Sequence, residues 1–124
     1  MTNEHIDLAI INRAKEDNVK LVQLQFTDIN GNIKAVTIPV ERFPESIEKG
    51  IWFDGSSIEG FTRICESDMY LKPDTSTYAL LPWETEEATA RLFCDVYMPD
   101  GSPFEGDPRY ILKRAIKNAR AMNF

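Results

Sequence analysis

Residues 20–40 read KLVQLQFTDINGNIKAVTIPV, and the reading of this stretch decides the fold class. Over residues 20–27, Val22, Leu24 and Phe26 alternate with Leu21, Gln23 and Gln25, the period of a half-buried strand. Asp28-Ile29-Asn30-Gly31 then supplies residue types that tolerate positive φ or hydrogen-bond their own backbone in turns. Residues 33–40 resume strand character, with Val36, Ile38 and Val40 in phase. The spacing predicts a β-hairpin.

On its N-terminal side, Ile6, Ala9, Ile10 and Ala14 recur at helical spacing over residues 2–17, with Thr2 or Asn3 as N-cap and Asn18 beyond the last turn. On its C-terminal side, residues 41–49 predict a short helix whose start is constrained by Pro44 and whose end is set by Gly50. Further strands are expected at 69–71, 77–81 and 90–98, punctuated by Pro73, Pro82 and Pro99-Asp100-Gly101. Asp107-Pro108 is an N-cap followed by an N1 proline, and Ile111, Leu112, Ala115, Ile116, Ala119 and Met122 form an apolar stripe behind it. Runs of strands with helices at the sides, without regular βαβ alternation, indicate an α+β domain with a curved mixed or antiparallel sheet. The stripe of the last helix continues to Phe124 with no polar tail, so the chain is expected to be a fragment.

Composition narrows the function. The 124 residues suit one domain, and 43% hydrophobic with 27% charged residues is an ordinary globular balance. A formal net charge of -6 argues against a nucleic-acid partner, whose phosphates call for clustered Lys and Arg. No basic region leads into an apolar run at the N-terminus and no segment has membrane-spanning length, so the expectation is a cytoplasmic protein with no membrane contact. Cys65 and Cys94 lack metal-ligand spacing and read as reduced thiols. His5, the sole histidine, reads as a surface residue near a helix start. Glu84, Glu86 and Glu87 read as a solvated loop.

Chemistry concentrates in residues 52–61, WFDGSSIEGF. Gly55 and Gly60 permit close backbone approach, Ser56 and Ser57 both donate and accept, and Asp54 brings a carboxylate. Such a segment holds an ammonium or other cation, or it caps its own backbone as an Asx turn. It has no P-loop lysine to cradle phosphate and no histidine to activate a serine.

The longer pattern is more informative. Phe53-Asp54-Gly55-Ser56-Ser57, then eight residues, then Glu66-Ser67-Asp68-Met69-Tyr70-Leu71, resembles the N-terminal signature of the type I bacterial and archaeal glutamine synthetases. Leu24-Gln25-Phe26-Thr27-Asp28, Pro73-Asp74, Pro82-Trp83 and residues 100–109 (DGSPFEGDPR) extend the resemblance over the chain from about Val19 onward. It implies that residues 1–124 are a β-grasp domain preceding a larger catalytic domain absent from this chain. The enzymes of that family join ammonia to glutamate, with ATP activating the γ-carboxylate and Mg2+ or Mn2+ bound. Their active sites lie between subunits of a homo-dodecamer of two stacked rings. The aspartate matching Asp54 binds ammonium and accepts its proton in the neighbouring subunit's site. Ser57 would hold that loop or touch that site.

Phe61-Thr62-Arg63-Ile64 resembles the α subtype, in which the matching arginine senses glutamine in feedback inhibition, and Glu66 matches a position near it. The other reading of Arg63 is an exposed surface arginine. Ile58-Glu59-Gly60-Phe61 lacks the tryptophan that some members carry at its last position, which favours the subtype regulated by glutamine and partner proteins. Nothing here resembles the family's metal-binding, ATP-binding or glutamate-binding segments, so neither metal nor cofactor is expected in this fragment, and alone it is expected to be inactive. An alternative is a stand-alone β-grasp module that binds and regulates a protein without catalysis. If the chain is an isolated domain, Trp52, Phe53, Phe61 or the last helix should form an exposed apolar patch.

Overall fold

The computed structural model describes residues 4–55 and 68–124, with side chains described from residue 8 onward. The hairpin forms as expected: β1 (Leu21–Thr27) and β2 (Ile33–Pro39) pair antiparallel with Leu24 opposite Val36. Its turn is organised by Asp28, whose Oδ1 accepts the N–H groups of Asn30 at 2.9 Å and Asn32 at 2.8 Å. Gly31 takes φ 84°, the conformation the turn needs. Val22, Leu24 and Phe26 are buried, as the alternation requires. On β2 only Ile38 is fully buried, and Val40 lies past the strand in a 3-10 turn, because β2 is the sheet's outer strand.

The β1 edge opposite β2 pairs in parallel with β6 (Thr89–Tyr97), Leu24 opposite Leu92. On the far side of β6 two strands lie end to end: β5 (Ala79–Leu80) beside its first half and β4 (Asp68–Pro73) beside its second. Beyond β4 lies β3 (Ile51–Asp54), which closes the order β2-β1-β6-β4-β3. The sheet is therefore mixed. Ala90, Leu92, Cys94 and Val96 of the central strand are all buried.

Two expectations need correction. Residues 51–54 form a strand that the sequence reading treated as part of a loop: Ile51 is buried, Phe53 half-buried, Trp52 and Asp54 exposed. The alternation is short and one-sided, as suits an edge strand. Residues 77–81 contribute only the two-residue β5, since Asp74 caps a 3-10 turn over Thr75–Thr77 by accepting the Ser76 N–H.

Helix α1 (Glu4–Glu16) ends as a Schellman motif, with Asn18 at φ 55°, Val19 N–H donating to Ala14 O and Asn18 N–H to Lys15 O. Its inward face is Ile10, Ile11 and Ala14; Ala9, expected on that face, is exposed. The side chains of His5 and Ile6 lie outside the described residues. Helix α2 (Phe43–Lys49) carries Pro44 in its first turn and buries Phe43 and Ile47. Gly50, at φ 75°, then turns the chain into β3.

Beyond Phe93, β6 has no further partner in β1, and the peptide groups of a buried strand need one. Residues 103–107 supply it: Phe104 N–H donates to Val96 O at 2.9 Å, and Asp107 Oδ2 accepts the Val96 N–H at 3.1 Å. The same carboxylate accepts the Arg109 N–H through Oδ1 and so caps α3 (Pro108–Ala121). The periodicity of α3 is as expected, but no residue of the helix is buried, and Ile111, Leu112, Ile116 and Met122 are exposed. No helix among the described residues is long and apolar enough to cross a membrane.

Candidate functional site

Asp54 is the last residue of β3 and stands in register with Asp68, the first residue of β4. Both are exposed, and residues 55–67 run between them. The period of the strand assigns the neighbours. Ile51 and Phe53 face inward, Phe53 packing against Phe26 with ring centroids 5.1 Å apart. Trp52 and Asp54 face outward, and the direct cross-strand partner of Trp52 is Tyr70. Trp52 and Tyr70 meet at 5.1 Å, and Tyr70 stacks on Tyr97 of β6 at 5.4 Å. The outer face thus presents a row of rings across β3, β4 and β6, and the next pair on that face of β3 and β4 is two opposed carboxylates.

Backbone geometry holds the arrangement. A Cβ at Gly50 would sit 2.8 Å from the Leu71 carbonyl oxygen and 2.8 Å from Tyr70 Cδ2. Glycine is therefore required where α2 hands over to β3. Two opposed carboxylates raise the local negative potential. Ser57, Arg63 and Glu66 lie outside the described residues, as do Phe61 and Cys65. Asp54 is placed on a strand rather than in the loop, and Asp68 is the neighbour that sequence reasoning did not connect with it. The Trp52/Asp54 versus Ile51/Phe53 alternation is a signal for a strand, but it does not report which strand pairs with it.

A second polar cluster fastens α3. Arg109 Nη2 lies 2.6 Å from Asp74 Oδ2, Arg109 Nε lies 3.0 Å from Asp95 Oδ1, and Lys113 Nζ lies 2.8 Å from the same Asp95 oxygen. Burial opposes ionisation of Asp74, but the Ser76 hydroxyl and N–H, with Arg109 and Lys113, hold its carboxyl below the usual range. Asp107 is shifted the other way, because its burial outweighs the two N–H groups it accepts. A groove of about 310 Å³ opens beside this cluster between Leu112, Phe93 and Ile33. Cys94 is a free thiol, and burial pushes it well above the usual thiol range. Glu84, Glu86 and Glu87 are exposed, as a solvated loop should be. Among the described residues no three His, Cys, Asp or Glu side chains are grouped to hold a metal ion.

Residues 18–99 match the family model described as glutamine synthetase, beta-Grasp domain. The chain belongs to that family. It is 58% identical over 111 residues to a glutamine synthetase of Thermotoga maritima, a match that covers 89% of this chain and 25% of the relative. It is 54% identical over 116 residues to a glutamine synthetase of Methanosarcina mazei, covering 93% of this chain and 26% of the relative. Among solved structures, a cryo-EM structure of Plasmodium falciparum glutamine synthetase superposes with a TM-score of 0.80 at 25% identity, over 97% of this chain and 23% of that one. This β-grasp chain thus spans about a quarter of the length of its curated relatives.

Proposed function

We propose that these 124 residues are the N-terminal domain of a glutamine synthetase, a cytoplasmic glutamate–ammonia ligase, and that Asp54 acts in the active site of the neighbouring subunit of a homo-dodecamer. The observation that carries the reading is the placement of Asp54: it is exposed on the outer face, at the end of the sheet's edge strand, away from the core of its own domain. A carboxylate so placed is within reach of a surface brought to it by another part of the assembly. The match of the whole signature region to glutamine synthetases supports the same reading.

In this role the ionised Asp54 carboxylate, beside that of Asp68, attracts NH4+ and orients it by hydrogen bonding. Transfer of one proton from NH4+ to an Asp54 oxygen leaves neutral ammonia, whose lone pair attacks the activated γ-carboxyl of glutamate. ATP supplies that activation, with Mg2+ or Mn2+, in the catalytic domain. In this reading Ser57 holds the loop or touches the neighbour's site. Arg63, with Glu66 near it, senses glutamine in feedback inhibition.

The test is Asp54→Ala in the full-length parent enzyme. Ammonia-dependent turnover should fall by about 100-fold or more while the assembly keeps its mass, as for loss of a positioned proton acceptor. Wild-type turnover would refute the assignment and favour the stand-alone binding module.

A further inference from the structure

Phe26 of β1 and Phe53 of β3 lie three strands apart in the order β2-β1-β6-β4-β3, yet their rings meet at 5.1 Å with planes tilted by 38°. Three strand spacings in a flat sheet amount to about 14 Å, so the contact exists because the sheet curls back on itself. Hydrogen bonding does not fix β3 against β1. The β1–β6 ladder ends at Gln25 and Phe93 and the β6–β4 ladder begins at Cys94 and Pro73, so no cross-strand row runs from β1 to β3. β3 has only four residues, pairs with β4 among the described strands, and ends in the like-charged pair of Asp54 and Asp68, which weakens the ladder there. That end is held instead by the residue just before Asp54: Phe53 points inward, opposite the buried Met69, with its ring on Phe26. Phe26 is a firm support, because it is 5% exposed and β1 is paired with β2 as far as Thr27, where Asp28 organises the turn.

We propose that Phe26 is a positioning residue for ammonium capture, setting the place of the Asp54 carboxylate by bracing Phe53 from across the curl of the sheet. The inference rests on the reading that Asp54 binds ammonium and accepts its proton. Adjacent Cα atoms are held about 3.8 Å apart by the peptide bond, so a lateral shift of Phe53 carries Asp54 with it. Misplacing a reacting group by about 1 Å costs on the order of 100-fold in rate, so a brace of this kind has kinetic weight. Because it acts through Asp54, it affects the use of ammonium and leaves the binding of glutamate and ATP alone. Phe26 touches no substrate in this reading; its ring acts only through Phe53.

The experiment uses the full-length parent enzyme and steady-state kinetics with each substrate varied in turn. Phe26→Leu keeps an apolar side chain in the core but opens the ring contact. It should lower kcat/KM for ammonium by about tenfold while KM for glutamate and for ATP stays within about twofold. In an Asp54→Ala background the same substitution should change kcat/KM for ammonium by less than about twofold, because residues that act as one unit are not additive. An equal loss in both backgrounds overturns the proposal, as does a loss shared by all three substrates. Phe53→Leu breaks the same contact from its half-buried side and should show the same selectivity, which keeps the test available if Phe26→Leu fails to assemble. Wild-type ammonium kinetics in Phe53→Leu overturn the brace. The two readings fail separately: depressed turnover in Asp54→Ala with wild-type kinetics in Phe26→Leu overturns the brace alone, whereas normal turnover in Asp54→Ala overturns both.

Discussion

Asp54, the last residue of β3, and Asp68, the first of β4, stand directly opposite one another. Directly opposed like charges weaken a strand pair, so this end of the pairing is held by its inward residues, Phe53 with Met69 and Ile51 with Leu71. The carboxylate pair thus works against the strand pairing at this end.

Asp68→Asn should therefore stabilise the chain slightly, by about 0.2–1 kcal/mol at low ionic strength. Urea midpoints at low and high salt check this. The gain should shrink toward zero at about 1 M salt, where the Debye length is near 3 Å. A gain that does not depend on salt would mean that repulsion is not its origin.

The ionic cluster at Arg109 should matter more, because Arg109, Asp74 and Asp95 are all three-quarters buried or nearly so and Arg109 bonds to both carboxylates. Arg109→Met should cost about 1–2 kcal/mol in urea unfolding, since it leaves Asp95 with Lys113 as its cation and Asp74 with the Ser76 hydroxyl and N–H. Arg109→Lys should recover only part, because an ammonium lacks the planar fork that reaches both acceptors. Wild-type stability for Arg109→Met would show that the cluster is ornamental to folding.

Asp107 joins α3 to β6, and its loss should cost about 2–3 kcal/mol in Asp107→Ala, the sum of a helix cap and a buried peptide N–H left unpaired. Its pH dependence has a definite sign. The folded-state value is raised above the ordinary 3.8, so the folded protein binds the proton more tightly than the unfolded chain. Its contribution to stability therefore rises as pH falls through the folded value and stops changing below 3.8. The lowered value of Asp74 acts oppositely: its contribution is present above 3.8 and is lost as pH falls through the folded value. Urea midpoints against pH should show Asp107→Asn removing the gain on mild acidification while the loss below pH 3.8 remains. An unaltered profile in Asp107→Asn would contradict this.

Gly50→Ala should destabilise by about 1–3 kcal/mol, because φ 75° is strained for alanine and the new Cβ meets the Leu71 carbonyl. Near-ultraviolet circular dichroism should change as well, since the same Cβ presses on Tyr70 and through it on Trp52 and Tyr97. An unchanged aromatic signal would show that the row adjusts freely.

The apolar stripe of α3 predicts association of the isolated chain rather than folding strength. Ile111, Leu112 and Ile116 are between 42% and 59% exposed. Replacing Ile111 and Ile116 by Ser should reduce self-association in sedimentation equilibrium and leave the urea midpoint within about 0.5 kcal/mol, as for surface changes. A large loss of stability would mean that the stripe is packed within the chain.

What the sequence determined by itself is what neighbouring residues decide among themselves. The alternation of Val22, Leu24 and Phe26 and the turn chemistry of Asp28 and Gly31 specify a hairpin without reference to the rest of the chain. The Asp107-Pro108 start of α3 and the Gly50 stop of α2 are local in the same sense. The signature around Asp54 was legible as a family resemblance, and the family match bears it out. Only the tertiary structure decided the parallel pairing of β1 with β6, the strand at residues 51–54 and the juxtaposition of Asp54 with Asp68. It also gave Asp107 its second acceptor role at Val96 and left the stripe of α3 in solvent. The physical reason is common to all of these: each depends on which distant backbone or side chain fills an open edge or face, and periodicity reports that a face is apolar without reporting what covers it.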